Sequence, residues 1–509
     1  MLLRQQNKHA MHELQELAYI LTKHKTRSIE IIGDETKHQN SKLHQLYKAI
    51  QKGEIKSDRQ AAKYIYGEST ISSKYRNLKH ELKKRLLNTI FFIDMNGAKD
   101  KDDVYYQCWK EWAACRILIE KSARKTAISL AEQILKKAIK FDFYDLIVSI
   151  SILLRMHYAL REKNKKKFEY YDELYDFSKK QEKYRNLAHK YYMKLILDYT
   201  TDGVVANPQI EADAKEYYQA LLPYMNKTKN VKFFYYLYQI QLLGKMGIFD
   251  YANAKKICDD AISFLNGKDF KGGLRNFYLN KLVCHIQLQE FKEGKVTAYK
   301  CQQLVSEGEF NWFKTNEYLF MLSFHTGNYQ EGYKIYDMTI RHPRYKSHEI
   351  IHETWTLYKV YLHFLYLIEK IKINSNDKSF NSLRLGKFLN DIPSFSKDKQ
   401  GMNIPVLIIQ MSFLILQKNY DEAIERIESL NKYCDRYLKT NNANYRCNCF
   451  IKMLTQIPVA RFNRIRIENR SSKYLDKMKG IEINYNSQAH EVEIIPFEKM
   501  WSLIIEALE

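Results

Sequence analysis

The chain has 509 residues, 45% of them hydrophobic, so it can bury a large core and is long enough for about three domains. It contains only 17 Gly and 7 Pro, which argues against a turn-rich all-β fold and favours long helices. Lys and Arg outnumber Asp and Glu by 82 to 59, and the net charge of +23 indicates either a solvated lysine-rich surface or a surface for a polyanion.

The cysteines and the apolar segments indicate the cellular compartment in which we expect the protein. The eight cysteines are scattered and include no C-x-x-C pair, as expected for buried thiols in a reducing environment. The first residues lack the apolar core of a signal peptide, and no apolar stretch approaches the ~18 residues that a membrane span needs. We therefore expect a cytoplasmic protein that has no membrane partner.

Residues 1–104 are predicted to form a helical domain. An amphipathic helix is expected over residues 1–25, and Ser57 is expected to cap a short helix that Gly67 ends. A longer helix follows, with apolar residues at near-heptad spacing up to Ile90. We interpret this region as a cap that covers the apolar end of the next segment.

The basic face of that longer helix suggests an alternative function, a nucleic-acid-associated regulator. The passage from Arg59 to Ile71 superficially resembles a helix-turn-helix, although its spacing differs by a residue or two. Basic side chains after it, and an arginine cluster near the C-terminus, would then contact phosphates. These residues are Lys79, Lys83, Lys84 and Arg85, together with Arg461, Arg464 and Arg466. Nucleic acid is nevertheless the less favoured partner, because the charge excess is mild and widespread.

Residues 105–440 carry a repeated pattern. A small or aromatic residue is followed, four and seven positions later, by two more interior residues, so that all three lie on one helical face. The clearest copy has Gly332, Tyr336 and Thr339 after a turn that ends in Tyr329. The first positions of the copies are Ala131, Tyr171, Ala214, Ala254, Gly294, Gly332 and Ala423. Five successive steps measure 38 to 43 residues, and the last step leaves room for one irregular unit.

This ladder resembles the tetratricopeptide repeat (TPR), although its steps exceed the ~34 residues usual in that family. The resemblance implies an all-α solenoid of antiparallel helix pairs, whose concave face is built from the first helix of each pair. It further implies a non-enzymatic scaffold that binds a protein or peptide on that face. The inward side chains implied for this contact are Asn276, Leu279, Val283, Lys314, Glu317 and Met321.

One motif points to different chemistry. His348 to His352 reads His-Glu-Ile-Ile-His, the H-E-x-x-H pattern in which two His bind zinc and the Glu activates water. A catalytic zinc needs a third protein ligand, and neither His363 nor Glu369 lies at a familiar distance. A metal-dependent hydrolase with His348 and His352 as ligands is therefore the second alternative. The sequence has no phosphate-binding loop or dinucleotide fingerprint, so we expect no cofactor.

Residues 441–509 are predicted to form a C-terminal cap. Alternating apolar residues between Gly480 and Phe497 flank a polar turn, which is the pattern of a β-hairpin. Pro496 then introduces a closing helix. Its inward residues are expected to be Trp501, Ile504 and Ile505.

Overall fold

In the computed structural model, the regular secondary structure of the described residues is entirely α-helical. The structure describes residues 41–55, 57–67, 72–91, 101–202, 206–345, 349–373, 403–437, 445–479 and 493–508. These residues form 20 α-helices and no strand, which confirms the predicted helical class. None of the described helices combines the length and the apolar character that a membrane crossing requires.

The chain divides into two compact units, residues 1–179 and 180–509. This division does not test the three predicted domains. The first unit begins with α1 (Lys42–Gln51), α2 (Asp58–Tyr66) and α3 (Ser73–Ile90). It continues with α4 (Lys101–Glu120), α5 (Arg124–Lys140), α6 (Tyr144–Leu160) and the start of α7 (Lys165–Asp202).

The second unit holds the rest of α7 and the helices that follow it. These are α8 (Pro208–Met225), α9 (Val231–Met246), α10 (Tyr251–Leu265), α11 (Lys271–Gln287), α12 (Phe291–Gln302), α13 (Phe310–His325), α14 (Tyr329–Ile340) and α15 (Glu349–Leu367). They continue with α16 (Asn403–Leu416), α17 (Tyr420–Tyr437), α18 (Tyr445–Val459), α19 (Arg464–Lys479) and α20 (Phe497–Glu506). From α8 to α19 each described helix packs on the next, and α11 also packs on α13, as in a helical repeat.

The predicted ends of α2 are confirmed. The Ser57 hydroxyl accepts a hydrogen bond from the Gln60 amide at 3.3 Å, which satisfies one free donor of the first turn. Gly67 ends the helix in the left-handed conformation with φ of 71°, where a side chain would be strained. The amphipathic helix predicted over residues 1–25 lies outside the described residues.

The turns between helices repeat one geometry. Phe249, Gln289 and Gly327 all have positive φ, and each stands two residues before the aromatic residue that begins the next helix. The amide after each of them bonds back to the carbonyl five residues earlier, as in Asp250 to Lys245 at 2.9 Å. This closure satisfies carbonyls at the end of the first helix and directs the chain into the second.

The ladder of small residues marks the second helices. Ala254 on α10 and Ala423 on α17 have no exposed surface, and Gly332 on α14 is buried, which confirms the predicted packing positions. A Cβ atom on Gly294 would lie 2.4 Å from Leu322 and 3.1 Å from the His285 Cβ. These positions must therefore stay small, because neighbouring helices already fill the space.

Ion pairs join successive second helices along the stack. Lys255 on α10 contacts Glu290, just before α12, at 2.6 Å. One repeat later, Lys295 on α12 contacts Glu331 on α14 at 2.9 Å. Partly exposed pairs of this kind contribute at most about 1 kcal/mol each to the free energy of unfolding. Their main effect is therefore on how neighbouring second helices align with each other.

The predicted C-terminal β-hairpin is wrong. Residues 480–492 lie outside the described residues, but Glu493–Ile495, which the prediction assigned to its second strand, form a bend. Ile494 and Ile495 are both buried, whereas a strand would direct adjacent side chains to opposite faces. The closing helix is confirmed as α20, and Trp501, Ile504 and Ile505 are buried as predicted.

A buried ion cluster fixes that closing helix. Arg446 on α18 donates hydrogen bonds to Glu493 at 2.6 Å and to Glu498 on α20 at 2.7 Å. It also donates to the carbonyl of Met478 on α19 at 3.1 Å. One guanidinium therefore joins α18, α19 and the segment that begins α20.

We predict that Gly332→Ala destabilises the second unit by about 1 to 3 kcal/mol. The new Cβ would lie 2.6 Å from the ring of the fully buried Phe324. Gly272→Ala is the matched control, because a Cβ there meets no atom within 4 Å. Urea unfolding followed by circular dichroism measures both. Equal midpoints for the two variants would contradict the close packing described at Gly332.

We also predict that Arg446→Leu costs about 3 to 5 kcal/mol, because it leaves the buried Glu493 carboxylate without its counterion. Arg464→Leu is the control, since Arg464 pairs with Glu468 at 3.2 Å on an exposed face and should cost under about 1 kcal/mol. The same unfolding measurement applies. A loss for Arg446→Leu as small as that of the control would show that the cluster does not hold α20.

Candidate binding surface on the first helices

A tyrosine cluster lies where α7 meets α9. The ring of Tyr236 is 5.6 Å from that of Tyr192, 5.2 Å from that of Tyr235 and 4.9 Å from that of His189. The three tyrosines are half-buried and His189 is exposed. Rings packed in this way are held in place before binding, so their exposed part offers apolar area at a low cost in entropy.

Hydrogen bonds continue this cluster onto α11. The Asn276 amide donates to the Tyr235 hydroxyl at 2.7 Å, and the Asn280 amide donates to the Asn276 carbonyl oxygen at 3.3 Å. Both asparagines are half-buried. The surface therefore extends over α9, α11 and the second half of α7, which precedes α8 as the first helix of that pair. We call Tyr192, Tyr235, Tyr236 and Asn276 the tyrosine row.

The hydroxyls of the tyrosine row stay protonated at neutral pH. Burial raises the pKa of Tyr192 to about 12. Burial also raises the pKa of Tyr235 and of Tyr236, although Asn276 lowers the first and Arg185 lowers the second. Neutral hydroxyls both donate and accept hydrogen bonds, which suits the amide and carbonyl groups of a polypeptide.

Two first helices, α9 and α13, each carry a buried polar side chain with an unpaired atom. Glu317 on α13 is buried; one carboxylate oxygen accepts from Lys314 at 2.7 Å and the other has no hydrogen-bond partner. Gln239 on α9 is also buried, and its amide nitrogen has no partner. Buried polar atoms are normally satisfied, but several other buried atoms of the described residues, such as the Ser178 hydroxyl, also have no partner, so these two do not by themselves mark a site.

The six predicted contact residues divide into two groups. Asn276, Leu279 and Lys314 are half-buried and reach the surface. Val283, Glu317 and Met321 are buried, at 5%, 3% and 1% exposure respectively. Val283 and Met321 pack into the main hydrophobic core, so their contribution is to the stack itself.

Sequence reasoning named Asn276 of the tyrosine row but missed its three tyrosines. Tyr235 and Tyr236 lie within an aromatic run, Phe233 to Tyr238, that suits core packing and binding equally well. A signal was nevertheless present: Tyr236 stands one 40-residue step before Asn276, the same step that separates Ala254 from Gly294. Applying the ladder to first helices as well as second helices would have found it.

The residues predicted for nucleic-acid contact lie in separate units. On α3, Lys79 pairs with Asp58 at 2.7 Å and Arg85 pairs with Glu81 at 2.8 Å, while Lys84 is exposed and Lys83 is partly exposed. At the other end, Arg464 pairs with Glu468, whereas Arg461 and Arg466 are exposed. The regulator alternative stays a prediction.

The predicted metal ligands are only partly described. His348 lies outside the described residues, and His352 is exposed, its ring 5.3 Å from that of Tyr345. No group of three or more His, Cys, Asp or Glu side chains that could hold a metal ion occurs in the described part of the chain. The hydrolase alternative stays a prediction.

A hydroxyl, an imidazole and a carboxylate are aligned between α11 and α12. His285 lies 2.7 Å from Glu290 and 3.1 Å from the Thr297 hydroxyl. This order is that of a nucleophile and its base, but His285 and Thr297 are 2% and 4% exposed. Burial lowers the pKa of His285 despite the nearby Glu290 carboxylate. A substrate cannot reach these atoms, and the network joins the two helices.

Comparison with known proteins gives no match to this chain. No protein-family model matches the chain, and no curated protein or solved structure matches it either.

Proposed function

We propose that this chain is a non-enzymatic, cytoplasmic scaffold of the TPR type that binds a protein or peptide on its first helices. The observation that carries the proposal is the tyrosine row, which connects α7, α9 and α11 at the surface. Tyrosines are enriched among the residues that dominate binding energy in protein interfaces. Their half-burial in the unbound chain means that little ordering remains to be done on binding.

The spacing of the helices suits an extended segment of polypeptide. Directly packed helices, such as α11 and α13 here, lie about 8 to 10 Å apart, which is close to the length of three residues in an extended chain. Successive first helices would thus meet ligand residues that are about three or more positions apart. The neutral hydroxyls of the tyrosine row and the amide of Asn276 would pair with main-chain groups, so binding would need no charged ligand.

A site-specific photo-crosslinker tests where the partner binds. Tyr236 on α9 and Tyr299 on α12 are each replaced by benzoyl-phenylalanine in the full-length chain, expressed in cells and irradiated. Tyr299 is the matched control because it is 52% exposed and lies on a second helix. We expect protein crosslinks from position 236 only. Crosslinks of equal yield from both positions, or from position 299 alone, would contradict the proposed surface.

Affinity for the crosslinked partner provides the quantitative test. We expect Tyr236→Ala to weaken binding at least tenfold, which corresponds to about 1.4 kcal/mol. Tyr299→Ala should leave the affinity within twofold, and both variants should keep the helical content of the parent chain. Isothermal titration calorimetry measures the dissociation constants. A Tyr236→Ala variant that binds with the affinity of the parent chain would show that the tyrosine row is not the binding surface.

A further inference from the structure

The helical hairpin formed by α18 and α19 is strongly basic. Between Tyr445 and Lys479 the sequence contains nine Lys or Arg residues and two acidic residues, Glu468 and Asp476. The preceding hairpin, α16 and α17, contains four basic and five acidic residues between Asn403 and Tyr437. The basic character is therefore a local property of α18 and α19, and the lysine-rich composition of the whole chain does not explain it.

Four of these basic residues form a straight row on α19. Arg466, Arg470, Lys473 and Lys477 follow one another at steps of four, three and four, so they share one face of the helix. All four side chains are exposed. The row is about 16 Å long, given the rise of an α-helix. We call these four residues the basic row.

The two acidic residues of the hairpin pair with basic residues that do not belong to the basic row. Glu468 pairs with Arg464 at 3.2 Å, and Asp476 pairs with Lys479 at 3.3 Å. On the neighbouring α20, Glu498 pairs with Arg446 and Glu506 pairs with Lys370. Within the described part of the chain no acidic side chain pairs with the basic row, so its charge is not neutralised there.

The adjacent helix α18 adds to this positive surface. Gln456 on α18 accepts a hydrogen bond from Arg470 at 3.2 Å, which places the basic row beside the seam between the two helices. Lys452 on α18 and Arg461 in the turn before α19 are also exposed.

We infer that the α18–α19 hairpin binds the phosphate backbone of a single-stranded nucleic acid, with the basic row as its main contact. Four cations about one helical turn apart form a linear track that can follow one strand. Arg466 and Arg470 can hold phosphate oxygens with two parallel hydrogen bonds, and Lys473 and Lys477 act as point charges. The contact would be independent of base sequence, because backbone contacts carry no sequence information.

An anionic membrane is the competing partner, and the burial of α19 argues against it. A helix that lies in a membrane interface must insert an apolar face. The inward face of α19, with Ile467 and Met478, is already buried in the protein core. Ile465 is the one large apolar side chain that α19 exposes among its described residues, at 69%. A single apolar residue is not an insertion face, so the outer side of α19 is mainly charged, which fits a soluble polyanion better than a lipid surface.

The test uses the full-length chain and a fluorescent 20-nucleotide oligouridine RNA, with anisotropy measured between 50 and 200 mM salt. One variant carries R466Q, R470Q, K473Q and K477Q. The matched control carries K166Q, K180Q, K183Q and K190Q, which removes the same charge from exposed positions on α7. We expect the basic-row variant to bind at least tenfold more weakly at 50 mM salt. For this variant, the slope of log Kd against the logarithm of the salt concentration should be smaller by about 3. Each single-strand phosphate contact contributes about 0.7 to that slope, and the variant removes four such contacts.

The control variant should change that slope by less than about 1. A duplex DNA of the same length and vesicles with anionic lipid complete the experiment, and circular dichroism checks folding. Equal losses for the two variants, or no binding by the parent chain at 50 mM salt, would overturn the inference. So would a greater dependence on the basic row for duplex DNA or for vesicles than for the single strand.

Discussion

Close approach of neighbouring helices at small residues is the constraint on which the rest of this structure depends. Ala254, Gly294 and Gly332 leave so little space that an added methyl group at either glycine would overlap a neighbouring side chain. Tight contact there fixes the distance between helix pairs, and the recurrent left-handed turns fix their direction. The first helices are then held side by side, which is what brings Tyr192, Tyr236 and Asn276 onto one surface.

Much of this arrangement could be predicted from the sequence because it depends on local rules. Ala254 and Ala423 identify buried seams through their spacing alone, and Ser57 and Gly67 identify helix ends through their backbone chemistry. Exposure on the first helices could not be predicted in the same way. Val283 stands one turn after Leu279, yet it is buried while Leu279 reaches the surface, because the rotation of each helix is set by contacts with both neighbours.

The C-terminal region shows how a correct pattern can carry a wrong interpretation. The apolar residues before Pro496 suggested a strand, but Ile494 and Ile495 are buried together and Glu493 pairs with Arg446, 47 residues earlier. A pairing of that separation has no signature in local sequence. The same holds for the basic row: its four members are visible as a helical stripe, but whether a described acidic side chain pairs with them depends on how α18, α19 and α20 pack.

The central claim is that the first helices bind a partner while the second helices hold the stack. Amide hydrogen exchange with and without the partner recovered by crosslinking tests it most directly, because exchange reports protection helix by helix. The account predicts slower exchange in the described parts of α7, α9 and α11 and little change in α10 and α12. Protection confined to α10 and α12, or no change in α9 and α11 at saturating partner, would contradict it.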